Sequence, residues 1–86
     1  MPEISRFYGI AIKMYFNDHP PPHFHAEYGD DEILVVIDTL AVIAGRVSSR
    51  ATSLILEWAA QHQDELRTAW NQARSAQPLG KIAPLP

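Results

Sequence analysis

The sequence contains no cysteine, which excludes a disulfide framework, a thiolate zinc site and a cysteine nucleophile. Any metal ion would have to be held by histidine nitrogens and carboxylate oxygens. Basic residues are also few, since seven Lys and Arg stand against ten Asp and Glu, and the net charge of -3 argues against broad nucleic-acid binding. No apolar run approaches the ~20 residues that span a bilayer, and no signal-peptide pattern is present. These absences predict a soluble cytoplasmic protein with no membrane partner.

The chain is long enough for one small domain, residues 1–86, with a single modest core. Apolar and polar residues alternate across residues 6–16 and again across residues 23–28, which is typical of strands with one buried side. Residues 33–37 are apolar on both sides and predict a central strand, and residues 41–46 are a candidate fourth strand. Because the connections are short, we expect a small antiparallel sheet of three or four strands.

The periodicity changes after this region, where Ser48 or Ser49 can cap a helix. Apolar residues then recur at spacings of three or four and form one stripe: Ile55, Ala59, His62, Leu66, Trp70 and Ala73. The stripe predicts a helix over residues 49–76, either continuous or broken near residues 61–64 with Asp64 capping a second helix. Trp58 lies off the stripe and predicts an interface. The predicted fold class is therefore α+β, with a long C-terminal helix or helix pair packed on one face of the sheet.

Three of the four histidines and a carboxylate lie close together in the sequence: His19, His23, His25 and Glu27. On a strand, the last three share one face, and neighbours on that face are ~6.5–7 Å apart. Imidazoles at that spacing can converge on an ion with bonds of ~2.0–2.1 Å, and His19 can reach back from the proline-rich loop. The pattern predicts a site for a divalent metal such as zinc, with an open position for catalysis.

The same histidines also suit chemistry without a metal. His23 and His25 can act as general base and general acid, as RNA cleavage requires, with Lys13 or an Arg stabilising the phosphate charge. A third interpretation is structural, in which the histidines only bond to their neighbours. Because the helices should cover the face that contains Phe24, we expect the histidine face to be open to solvent or to a partner. The residues by themselves leave these alternatives open.

Several strings in this chain are distinctive. They are MPEISRFYGI at residues 1–10, MYFNDH at 14–19, PPHFHAEYG at 21–29, LEWA at 56–59 and PLGKIAPL at 78–85. Together they resemble the bacterial family called domain of unknown function 4160. The resemblance implies a small bacterial or archaeal protein that is often encoded beside a member of domain of unknown function 2442. Such pairs are proposed to be toxin–antitoxin-like modules in which this family is the toxin, and the family offers no catalytic residues to carry over.

Three functional hypotheses follow from the resemblance and the histidines. The first is the toxin-like component of a two-gene module, which binds a small cognate protein encoded next to it and cleaves RNA with His23, His25 and Lys13. The second is a metal-binding protein or metal-dependent hydrolase that uses His19, His23, His25 and Glu27. The third is a non-catalytic adaptor for protein–protein interaction. Because the edges of a small sheet can pair with other chains, we also expect a homodimer or a bound partner chain.

Overall fold

A five-stranded antiparallel sheet followed by two helices makes up the fold. The computed structural model describes residues 3–86, so Met1 and Pro2 of the first family-like string lie outside the described residues. The strands lie side by side in chain order: β1 (Glu3–Phe7), β2 (Ile10–Lys13), β3 (His23–Tyr28), β4 (Asp31–Val36) and β5 (Val42–Gly45). The helices are α1 (Ser49–Gln61) and α2 (Gln63–Arg74). The predicted α+β class is confirmed, and the predicted three or four strands are corrected to five.

The additional strand arises because the alternating residues 6–16 form two strands instead of one. β1 and β2 pair across a two-residue turn made by Tyr8 and Gly9, whose φ angles are 50° and 78°. Two left-handed residues are typical of a type I′ hairpin turn, in which glycine is favoured and tyrosine is unusual. Tyr8 lies in this turn and Phe16 lies beyond the end of β2, and both are exposed. The residues between them on the face predicted to be buried are buried.

The helical region begins at the predicted serine cap and is interrupted within the predicted break, residues 61–64. The Ser48 side chain accepts the backbone N–H of Ala51 at 3.1 Å, which confirms the predicted N-cap. α1 ends at the predicted break, and His62, not Asp64, is the residue between the helices. Each helix is roughly 20 Å long and can lie over the small sheet, which a continuous helix of about 42 Å would overrun. Within residues 3–86, neither helix combines the length and the apolar character needed to cross a bilayer.

The helices bury the core against one face of the sheet. The predicted stripe is buried at every position except His62, which is half-buried. The prediction for Trp58 is wrong, because its side chain is completely buried and its ring packs 5.4 Å from that of Phe7 and 5.8 Å from that of Phe24. Its indole N–H donates to the carbonyl of Ala83 at 2.8 Å. The C-terminal tail therefore supplies cover that helical periodicity does not reveal.

The two edges of the sheet have different surroundings. At β1, the Ile82 N–H donates to the Ile4 carbonyl at 2.7 Å, and the Tyr8 hydroxyl donates to the Pro86 carbonyl at 2.5 Å. The tail from Lys81 to Pro86 therefore covers this edge. At the opposite edge, every residue of β5 is exposed, and in the described part of the chain only β4 bonds to it.

Candidate metal centre

Three side chains meet beside the first half of β3: Asp18, His23 and His25. One potential ligand atom from each lies within 4.8 Å of the other two. The Oδ2 atom of Asp18 is 3.0 Å from Nε2 of His23 and 3.1 Å from Nε2 of His25. The structure therefore brings together two of the predicted site residues, His23 and His25, and adds Asp18 as a third.

His23 is held by contacts on both sides of its ring. Its Nδ1 donates to the backbone carbonyl of Pro21 at 2.8 Å, and its ring lies 5.3 Å from the ring of Trp70 on α2. The residue is only 5% exposed. The expectation of an open histidine face is therefore wrong at this position, because the loop before β3 and the Trp70 side chain cover His23.

His25 lies two residues further along β3, on the same face of the sheet. Its Nδ1 is 3.1 Å from Oε2 of Glu32 on β4, and the ring of Tyr15 meets its ring edge-on at 4.3 Å. These contacts set the orientation of the imidazole and direct Nε2 toward Asp18. Glu32 is thus a positioning residue for the cluster, although the sequence pattern gives it no such role.

Asp18 is placed by the turn that follows β2. Its Oδ1 accepts the backbone N–H of His19 at 2.8 Å, which leaves Oδ2 directed at the two histidines. The Asn17 N–H donates to the Ala73 carbonyl, which connects this turn to the end of α2. Burial raises the pKa of Asp18, but hydrogen bonds from His25 and His19 and the charge of the nearby imidazoles bring it below its ordinary value. Asp18 is therefore ionised at neutral pH and can serve as a metal ligand.

The ring contacts of the two imidazoles are compatible with a shared cation. A carbonyl oxygen only accepts hydrogen bonds, so Nδ1 of His23 carries a hydrogen, while its Nε2 faces the ionised Asp18, which also only accepts. His25 repeats the pattern, with a carboxylate at each nitrogen. These contacts can be hydrogen bonds from ring N–H groups, or both Nε2 lone pairs can bind one cation between rings whose centroids are 5.2 Å apart. The second arrangement is the usual one for metal-bound histidine, whose other N–H donates to a carbonyl or carboxylate.

The separations between the three side chains are within a few tenths of an ångström of those between ligands of one metal ion. Two ligands about 2.0–2.1 Å from a tetrahedral zinc-type ion are about 3.3–3.4 Å apart. The distances from Asp18 Oδ2 to the two Nε2 atoms are 3.0 and 3.1 Å. Hydrogen bonds have this length as well, so the argument for a shared ion rests on the convergence of both Nε2 atoms on one carboxylate oxygen.

The other predicted site residues, Lys13, His19 and Glu27, contribute no atom to this group. Lys13 Nζ and Glu27 Oε1 form an ion pair at 2.8 Å, and the hydrogen bond to Glu27 raises the pKa of Lys13. Lys13 is the register partner of His25, so this ion pair lies on the same face beside the cluster. His19 is exposed, and its backbone N–H, not its ring, bonds to Asp18.

Comparison with known proteins gives a family and nothing further. The model of the family described as Domain of unknown function (DUF4160) matches residues 9–71, a span that contains all three cluster residues. No curated protein and no solved structure matches the chain.

Proposed function

This chain belongs to the DUF4160 family, and because that description names no activity, we propose a function from the site itself. The protein binds one divalent transition-metal ion of the zinc type through Asp18, His23 and His25, and acts as a metal-dependent hydrolase. The proposal keeps the predicted metal-binding role of the two histidines on β3. It replaces His19 and Glu27 in the ligand set with Asp18.

One observation carries this proposal: each imidazole has an acceptor at Nδ1, and both Nε2 atoms point at one carboxylate oxygen. Without a cation, all four contacts are hydrogen bonds only if each ring carries two N–H groups, and the His23 ring is 95% buried. With a cation, both imidazoles are neutral and every ring nitrogen has a partner. The Pro21 carbonyl and Glu32 then act as the outer groups that orient the metal ligands.

Three protein ligands leave a coordination position that a structural zinc site would fill with a fourth residue. The ion would lower the pKa of a bound water and polarise a carbonyl or phosphoryl oxygen. The side chain of Asp18 is 22% exposed, compared with 6% for His23, so the accessible side of the cluster is the side of Asp18. On this proposal, substrate and water would reach the ion from the side of Asp18.

Metal-free RNA cleavage by His23, His25 and Lys13 has less support from the contacts. Lys13 is neutralised by Glu27, so its charge is not free to stabilise a phosphate. His23 is buried, and both of its ring nitrogens are engaged within the protein. The role as toxin in a two-gene module remains a separate proposal, since a hydrolase of either type can act as a toxin.

Metal content tests the binding proposal directly. The untagged protein is loaded with zinc, dialysed and measured by inductively coupled plasma mass spectrometry, in parallel with His25→Ala and Asp18→Asn. We expect about one ion per chain in the wild type and almost none in either variant. His19→Ala and Glu27→Gln are the matched controls and should retain the ion. Loss of the ion in these controls would favour the originally predicted ligand set, and a metal-free wild type would refute the proposal.

Hydrolysis is tested separately with the zinc-loaded protein. Chromogenic carboxylic and phosphate esters are suitable substrates because both have an oxygen that a metal ion can polarise. Turnover that requires zinc and is lost in Asp18→Asn would support the hydrolase. Zinc binding without turnover of any ester would leave a metal-binding protein and reject the catalytic role.

A further inference from the structure

A cavity of about 200 Å³ lies between the β1–β2 turn, the end of β3 and the first two turns of α1. We propose that this cavity binds a small organic acid, whose carboxylate pairs with Arg50 and whose apolar or aromatic body packs against Tyr8 and Tyr28. The site is separate from the proposed metal centre and does not depend on it. Tyr28 is three residues from His25 on β3, and an odd spacing places their side chains on opposite faces of the sheet.

The buried residues that line the cavity are apolar. Ile10 and Ala51 are buried, and Leu54 is half-buried against the core. Sites for small molecules are concave, mostly apolar and largely preformed, with a few polar groups that fix the orientation of the ligand. Because the volume is below the ~300–1,000 Å³ of sites for drug-sized molecules, the cavity suits a body about the size of one ring.

Two tyrosines that line the cavity are exposed and yet held in place. Tyr8 is 55% exposed and Tyr28 is 42% exposed. Tyr8 has a φ of 50°, which glycine or asparagine adopts at lower cost, and its hydroxyl donates to the Pro86 carbonyl at 2.5 Å. The Tyr28 ring lies across Gly9, where a Cβ would be 3.5 Å from it. An aromatic side chain kept at a strained and exposed position is typical of a residue that contacts a ligand.

Arg50 is the one charged residue that lines the cavity in the described part of the chain. Its side chain is exposed and forms no ion pair within residues 3–86, whereas Arg6 and Arg67 are each paired with a carboxylate. The first turn of α1 contains no acidic residue. Asp31, the register partner of Tyr28, does not line the cavity. The charge of Arg50 is therefore available to an anion in the cavity.

One cation beside apolar and aromatic walls defines the class of ligand. A carboxylate carries the single negative charge that one guanidinium can meet, and it can accept two parallel N–H bonds from it. A phosphate monoester carries about two negative charges at neutral pH, and Arg50 alone would have to meet them. The same chemistry, a carboxylate on an apolar body, occurs in free organic acids and in the C-terminal residue of a peptide.

Benzoate is a suitable probe, with benzamide as its neutral isostere and acetate as the fragment that lacks the ring. Binding to the purified, metal-free protein is measured from backbone amide NMR signals. We expect benzoate to shift the signals of residues 8–10, 28 and 50–54 and to bind at least about tenfold more tightly than either control. Equal binding of benzamide or of acetate would overturn the proposal, and so would the absence of benzoate binding.

Variants locate the site. Arg50→Gln should weaken benzoate binding by about tenfold or more and leave benzamide binding unchanged. Arg46→Gln is the matched control, because Arg46 is also exposed but does not line the cavity. Leu54→Trp should fill the cavity and abolish binding, with its fold checked by the same NMR spectrum. Equal loss in Arg46→Gln, or full binding by a folded Leu54→Trp, would contradict the assignment of the site.

A short peptide separates the two sources of the ligand. N-acetyl-Gly-Gly-Phe is compared with benzoate and with its own C-terminal amide. Tighter binding of the free-carboxylate peptide than of benzoate would identify a C-terminal residue as the ligand, and weaker binding would identify a free acid. Binding of the amide as tight as that of the free carboxylate would overturn the role of Arg50. Because all of these measurements use metal-free protein, failure of this cavity and failure of the metal centre are distinguishable.

Discussion

Zinc should stabilise this protein strongly, and the stabilisation should depend on Asp18. A ligand that binds only the folded state adds RT ln(1 + [L]/Kd) to the free energy of unfolding. Asp18→Asn is the perturbation, because asparagine keeps the shape of the side chain and removes the charge that faces both imidazoles.

The size of the effect follows from this relation. At a zinc concentration of 100 Kd the wild type should gain about 2.7 kcal/mol, which corresponds to roughly 11–22 °C in Tm for a domain of this length. If loss of one ligand weakens binding about 100-fold, the same zinc concentration adds only ~0.4 kcal/mol to the variant. Its Tm should therefore rise by about 2–3 °C.

Differential scanning calorimetry of both proteins, with and without zinc, measures the two shifts. His19→Ala is the control, since the exposed ring of His19 has no contact with the cluster, and it should rise as much as the wild type. A wild-type Tm that zinc leaves unchanged would refute the metal centre. An equal rise in Asp18→Asn would show that zinc binds elsewhere.

Three further predictions concern the cluster, the sheet and the module. Glu32→Gln should weaken zinc affinity by about 10–100-fold in a chelator competition while the stoichiometry stays the same, and unchanged affinity would exclude the positioning role. Gly45→Ala should lower the free energy of unfolding, measured by urea denaturation, by about 2 kcal/mol or more. The added Cβ would lie 1.9 Å from the Glu32 carbonyl oxygen, and the φ angle of 78° disfavours alanine. The control Gly29→Ala has open space around it and should lower the same free energy by about 1 kcal/mol. Induced wild-type protein should arrest growth unless the neighbouring gene is present, and His25→Ala should not, whereas normal growth of the wild-type strain would count against a toxin.

Local sequence signals were sufficient for most of the secondary structure and for part of the site. Alternation predicted the strands, and Ser48 predicted the start of α1 because a capping serine acts on backbone groups within one turn. The spacing of His23 and His25 predicted a shared face, because side chains two residues apart on a strand point the same way. The turn at Tyr8 was missed, because tyrosine is an unusual residue at a left-handed position and hides the hairpin within an unbroken alternation.

By itself, then, the sequence determined the α+β class, the helix pair as one alternative, and the two histidines that face together on β3. Only the tertiary structure decided that Asp18 and Glu32 complete the cluster and that the tail buries Trp58. It also decided that β5 is the edge strand whose residues are all exposed. The physical reason is the range of the forces involved. Periodicity, caps and turns act over a few residues, whereas these contacts depend on strand register and on where the loop and the tail fold back.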